Sequence, residues 1–174
     1  MLTIQGIRSN DFLPRAIQAS MWIYVVRVNI WRFFSRKPYL KFIKCCNHWS
    51  IIIDYTEWEA IANGVIRHNY SITHHQYVKE WKILVDNKAN IIEYLRSQEG
   101  HKYEFLNFVF HILKVMGFRW LGSWNDRHHS CIELVNRALQ LAGVEGIDKF
   151  MNPYETQILL EKRFGGHVVK NIKK

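Results

Sequence analysis

A thiol performs acyl transfer when an imidazole stands beside it to carry the proton and a third group fixes that imidazole. The stretch that supplies the thiol is Ser130-Cys131-Ile132-Glu133-Leu134-Val135. Ser130 and Glu133 form an S-x-x-E pattern ahead of an apolar run. In such a capping box the Ser oxygen accepts the N–H three residues on, and the Glu reaches back to the N–H of the cap. The pattern makes Cys131 the first residue of a helix and puts its sulfur at the positive end of the helix dipole, which favours thiolate over thiol. Cys131, Val135, Ala138 and Ala142 share one helical stripe, so the thiol faces inward, and Gly143 supplies the stop. The plain alternative is a buried structural cysteine; only a base from elsewhere in the chain gives Cys131 a chemical role.

His48 is the best base. It opens the strongest strand pattern in the chain, His48-Trp49-Ser50-Ile51-Ile52-Ile53-Asp54, where a side chain is held rigidly. The third group must reach the far nitrogen of His48, which points to a neighbouring strand. Glu59 lies eleven residues on, across a turn, with Glu57, Asp54 and His68 as rivals. A zinc site competes, because Cys45, Cys46, His48, His128, His129 and Cys131 are all ligand types. The adjacent pair Cys45-Cys46 counts against it, since neighbours on an extended chain point to opposite faces. His74-His75 and His128-His129 read as solvated loop residues.

The elements that must position these groups follow from pattern. Leu2 to Gln5 reads as a strand ended by Gly6, and Arg15 opens a helical pattern that runs toward Phe34 and stops at Lys37-Pro38. In that helix Trp22, Tyr24, Trp31, Phe33 and Phe34 alternate with Arg27, Arg32, Arg36 and Lys37. The mixed spacing predicts a core helix with snorkelling arginines; exposure of the same residues would instead mark a membrane-surface or partner-binding face. Strands are expected over 47–55, 58–61, 64–68 and 81–85, with a turn at Asn63-Gly64. Helices are expected over 87–98, 103–116 and 154–162, a loop over 120–127, and a basic tail from 165 to 174. The pattern predicts an α+β chain, residues 1–174 as one domain, with a small antiparallel sheet packed with helices.

The chain has 174 residues, 48% hydrophobic and 22% charged, enough for a sizeable core. Its net charge of +9 predicts attraction to an anionic surface or partner. The odd cysteine count argues against a disulfide framework and for a reducing compartment. No secretory leader or membrane span stands out, so a cytoplasmic or virion-associated protein is expected.

Taken together, the motifs resemble the circularly permuted branch of the NlpC-like papain-fold cysteine hydrolases, which includes lecithin:retinol acyltransferase-like proteins. In that branch the His precedes the Cys, as His48 precedes Cys131 here. Asn47-His48-Trp49-Ser50-Ile51-Ile52 is similar to the family's His strand, Glu59-Ala60-Ile61-Ala62-Asn63-Gly64-Val65 to its "EA…GV" segment, and Ser130-Cys131-Ile132-Glu133-Leu134-Val135 to its "CSELV" helix start. Gly6-Ile7-Arg8 with Arg15-Ala16-Ile17, and Gly100-His101-Lys102-Tyr103, are similar to two further segments. The resemblance implies a permuted papain-like fold, Cys131 as nucleophile, His48 as general base and Glu59 as the orienting group. It also implies no cofactor or metal, and acyl transfer through a thioester, on a peptidoglycan peptide amide or on a lipid ester or amide. A catalytically idle structural or binding module, for example in a virus particle, is the non-enzymatic expectation.

Overall fold

The computed structural model describes residues 1–7, 12–36, 46–61, 63–70, 78–102, 130–149 and 151–169. The helix expected over 103–116, the loop over 120–127, and Cys45, His74, His75, His128 and His129 lie outside them. The described chain is α+β, with strands β1 (Leu2–Ile7), β2 (His48–Ile53), β3 (Thr56–Ile61), β4 (Gly64–Asn69), β5 (Val78–Ile83) and β6 (His167–Val169) and helices α1 (Phe12–Phe34), α2 (Lys88–Gln98), α3 (Cys131–Leu141) and α4 (Pro153–Phe164). The strands form one antiparallel sheet in the order β4-β3-β2-β1-β5-β6.

Register sorts the strands into two faces. Ile4 pairs with Ile51 and Trp81, and Ile51 with Trp58. This face is apolar and is buried in one core with Ile91 and Leu95 of α2, Leu134, Val135, Ala138 and Leu139 of α3, and Leu160 of α4. On the other face Gln5 pairs with Ser50 and Glu80, Ser50 with Glu59, and Glu57 with His68. Six polar side chains are thus set at period two on strands whose opposite face is core.

The hairpin between β2 and β3 fixes which residues meet. Asp54 and Tyr55 both lie in the left-handed region, with φ of 51° and 61°, and Ile53 pairs with Thr56. This is a two-residue turn of the primed kind, whose twist matches the strands it joins. At the next turn Gly64 has φ of +118°, and a Cβ there would fall 2.6 Å from the carbonyl oxygen of His101. Val65 N–H donates to that same oxygen, and Gly100 N–H donates to Val65 O, each at 2.9 Å. Two segments that carry the family resemblance, Gly64-Val65 and Gly100-His101, are therefore joined through their backbones.

Four expectations change. Gly6 does not end β1 but lies inside it, paired with Trp49 and Lys79. Strand β5 begins at Val78, and part of the expected tail is strand β6, paired with β5. Helix α1 does not have the exposure expected of a core helix. Among its described side chains Val25 is buried, whereas Trp22, Ile23, Val26, Ile30, Trp31, Phe33 and Phe34 are exposed.

Helices α3 and α4 are tied by a buried pair. Thr156 Oγ1 donates to Asn136 Oδ1 at 2.9 Å, and Asn136 Nδ2 donates to Met151 O at 2.9 Å. A complete capping box starts α4, where Asn152 and Glu155 exchange side chain-to-backbone bonds of 2.9 and 3.2 Å. Its signature is also local, an Asn before Pro153 with Glu three residues on.

Candidate active site

Cys131 is the first residue of α3, as its cap requires. Glu133 N–H donates to Ser130 Oγ at 3.3 Å, and Leu134 N–H to Ser130 O at 3.0 Å. The N–H groups of Cys131 and Ile132 have no acceptor within the helix. They stand beside the sulfur, where they can receive an oxyanion. Cys131 is 2% exposed and forms no disulfide among the described residues.

His48 is the first residue of β2 and Glu59 lies in β3. Glu59 pairs directly with Ser50, so it is the diagonal cross-strand neighbour of His48 on the same face. His48 Nε2 donates to Glu59 Oε2 at 2.6 Å, and the two side chains are 13% and 14% exposed. That leaves Nδ1 for Cys131, the other side chain that interacts with His48. Burial alone would lower the pKa of His48. Cys131 and then Glu59 overcome it and raise the pKa of His48 to about 10. Burial pushes the Glu59 carboxyl up, but His48 and then His68 outweigh it and bring it down to about 2. Cys131, His48 and Glu59 thus form one connected chain of side chains.

Of the rivals for the third position, Asp54 is at the β2–β3 turn, where it pairs with Lys88. Glu57 is buried, its pKa is raised by that burial, and it lies 4.0 Å from His68 Nδ1. His68 contacts the same carboxylate as His48, with Nε2 donating to Glu59 Oε1 at 3.0 Å. Glu59 is therefore held on both oxygens. The polar face continues away from His48 and Glu59: Ser50 Oγ donates to Gln5 Oε1 at 3.5 Å, and Gln5 Nε2 and Tyr70 OH both donate to Glu80 Oε1, at 2.6 and 2.9 Å. No motif in the sequence announces this network; its local signal is a polar residue inside each of four strands, Gln5, Ser50, the period-two pair Glu57 and Glu59, and Glu80.

Of the described members of the suggested zinc set, His48 and Cys131 meet but Cys46 lies apart from them. Cys46 packs against Gly6 and Trp81 in the apolar core, and no group of three or more His, Cys, Asp or Glu suited to a metal occurs among the described residues. Comparison of the chain with family models, with curated proteins and with solved structures gives no match.

A thiolate nucleophile is less dependent on an orienting carboxylate than a hydroxyl is, because the sulfur need not be deprotonated in the attack itself. Glu59→Ala is therefore expected to lower kcat/KM for acyl transfer by about 10- to 100-fold, short of the roughly 10⁴-fold seen when the orienting acid of a serine triad is changed. The kcat/KM of the variant checks this. An unchanged value would remove Glu59 from the site.

Proposed function

We propose that this chain is a cysteine hydrolase or acyltransferase working through a thioester on Cys131. The thiolate attacks the carbonyl carbon of an amide or ester. The N–H groups at the head of α3 take the developing negative charge, and the C–N or C–O bond breaks as His48 gives its proton to the leaving group. Water or another acceptor then loses a proton to His48 and attacks the thioester, freeing Cys131. Glu59 keeps the ring oriented through both steps. The observation that carries this reading is His48 held between Cys131 on one side and Glu59 on the other. The resemblance to the permuted NlpC-like branch supports it, with its His-before-Cys order.

Cell-wall peptide amides are the first acyl donors to test. Lipid esters or amides are the second class, favoured by the exposed aromatic and aliphatic side chains of α1. The test is to mix the protein with muropeptides or with phospholipids, quench in acid and measure intact mass. A donor-derived acyl adduct on Cys131, absent from Cys131→Ala, is expected with one of the two classes. No adduct and no turnover with either class would leave the catalytically idle module as the better account.

A further inference from the structure

The sequence pattern of α1 predicts a core helix, yet its surface is divided the other way. One side faces the protein: Val25 is buried, Tyr24 OH donates to Glu155 Oε1 of α4 at 2.7 Å, and the Tyr24 ring lies 6.1 Å from that of Tyr154. The outward side carries Trp22, Val26, Ile30 and Phe33 at spacings of four, four and three, with Ile23 and Phe34 beside them. These positions fall on one stripe of a 3.6-residue helix. Ile30 is 57% exposed, Phe33 63% and Phe34 79%. A helix docked on a protein normally turns polar residues outward, so a continuous outward apolar stripe marks an interaction surface.

Charge selects what the surface meets. The only charged residues between 12 and 36 are Arg15, Arg27, Arg32 and Arg36, although the whole chain holds 15 acidic residues. Arg27 follows Ile23 by one turn and so flanks the stripe. An arginine-bearing, acid-free helix with Trp and Phe on its apolar side has the composition of a helix lying in the plane of a bilayer interface, apolar side chains among the acyl chains and arginines at the headgroups. Indole rings prefer this depth. The 23-residue helix is not apolar enough to cross a membrane, so any contact with a bilayer is in the plane of its surface. We propose that α1 docks the protein on the surface of an anionic lipid bilayer through the stripe formed by Trp22, Val26, Ile30 and Phe33, with Ile23 and Phe34 beside it. This goes beyond the acyl-transfer proposal and does not depend on it.

The test is flotation of the full chain with unilamellar vesicles of phosphatidylcholine, with and without about one third phosphatidylglycerol. The parent is expected to float with the anionic vesicles and to be released as salt is raised. The double variant Ile30→Glu, Phe34→Glu is expected to lose about tenfold or more in partitioning, since two side chains leave the acyl region and two acids enter it. Both residues are exposed, and unchanged circular dichroism and thermal midpoint would show that the variant folds. Cys131→Ala is expected to bind as the parent does, so that loss of turnover and loss of docking are read separately. Failure of the parent to float on anionic vesicles, or equal flotation of the double variant, would overturn the proposal. So would sedimentation showing a dimer that the double variant disperses, because a second copy would then cover the stripe.

Discussion

Exchange of His48 for Gln is expected to lower kcat/KM for acyl transfer by about 10²- to 10⁴-fold, the range for loss of a positioned general acid–base. The Gln amide can still donate to Glu59, so the variant keeps a partner for the half-buried carboxylate and isolates the loss of proton transfer and of positive charge beside the sulfur. The same exchange changes how stability depends on pH. His48 has a folded pKa of about 10 against an ordinary 6.5, so its contribution is complete below pH 6.5 and is lost as pH rises toward 10. Glu59 has a folded pKa of about 2 against 4.5, so its contribution is complete above pH 4.5 and is lost as pH falls toward 2. The His48 value also carries its interaction with Cys131, and the Glu59 value that with His68; the His48–Glu59 contact is common to both. The contact is at full strength between about pH 4.5 and 6.5. Chemical denaturation from pH 6.5 to 10 is expected to show the parent losing stability through this range, with that slope flattened in His48→Gln. Parallel slopes in parent and variant would mean that His48 carries no such charge.

What the sequence shows of this site is what local chemistry decides. The Ser130 cap is a side chain bonding to its own backbone three residues on, so four residues suffice to place Cys131 at a helix start. His48 is legible for a similar reason, because a run of β-branched residues after it makes a strand in most contexts. Glu59 is less so. Its contact with His48 depends on register, and register is set by the turn at Asp54 and Tyr55, two residues without a glycine that nonetheless adopt positive φ. Had the turn been one residue longer, Glu59 would have moved to the core face. Helix α1 is the instructive failure. Aromatic and aliphatic side chains establish that a helix has an apolar stripe but not which way the stripe points, since that is decided by what α4 offers it. Tyr154 and Glu155 engage Tyr24 and leave the stripe outward. Beneath His48, the packing that supports β2 was also invisible, because it runs across two strand pairs.

That packing predicts the largest loss of stability. Trp49 in β2 and Trp81 in β5 are both completely buried, and their rings stack 12° from parallel with centroids 5.4 Å apart, although β1 lies between their strands. Gly6 makes this possible. It is the β1 residue paired with Trp49, and a Cβ there would fall 3.1 Å from the Trp81 ring and 2.6 Å from Cys46 Sγ. With no side chain at Gly6 the two indoles meet across the strand. Gly166 approaches Trp81 from another side, where a Cβ would lie 2.5 Å from its Nε1. Trp81→Ala therefore empties a space that glycines on two strands or their flanks were keeping clear, with little nearby to collapse into it, and is expected to cost about 3–5 kcal/mol. Against a usual domain stability of about 5–15 kcal/mol this is a large share. Trp49 loses its stacking partner and directly follows His48, so kcat/KM of the folded fraction is expected to fall as well. Trp81→Phe separates ring from N–H. The Trp81 Nε1 has no hydrogen-bond partner among the described residues, so Phe keeps the stacked ring and removes a buried unsatisfied donor. It is expected to cost far less than Ala, about 1 kcal/mol or less. Urea denaturation of the two variants decides: equal losses for Ala and Phe would show that the stack across Gly6 does not hold β2, and with it His48, in place.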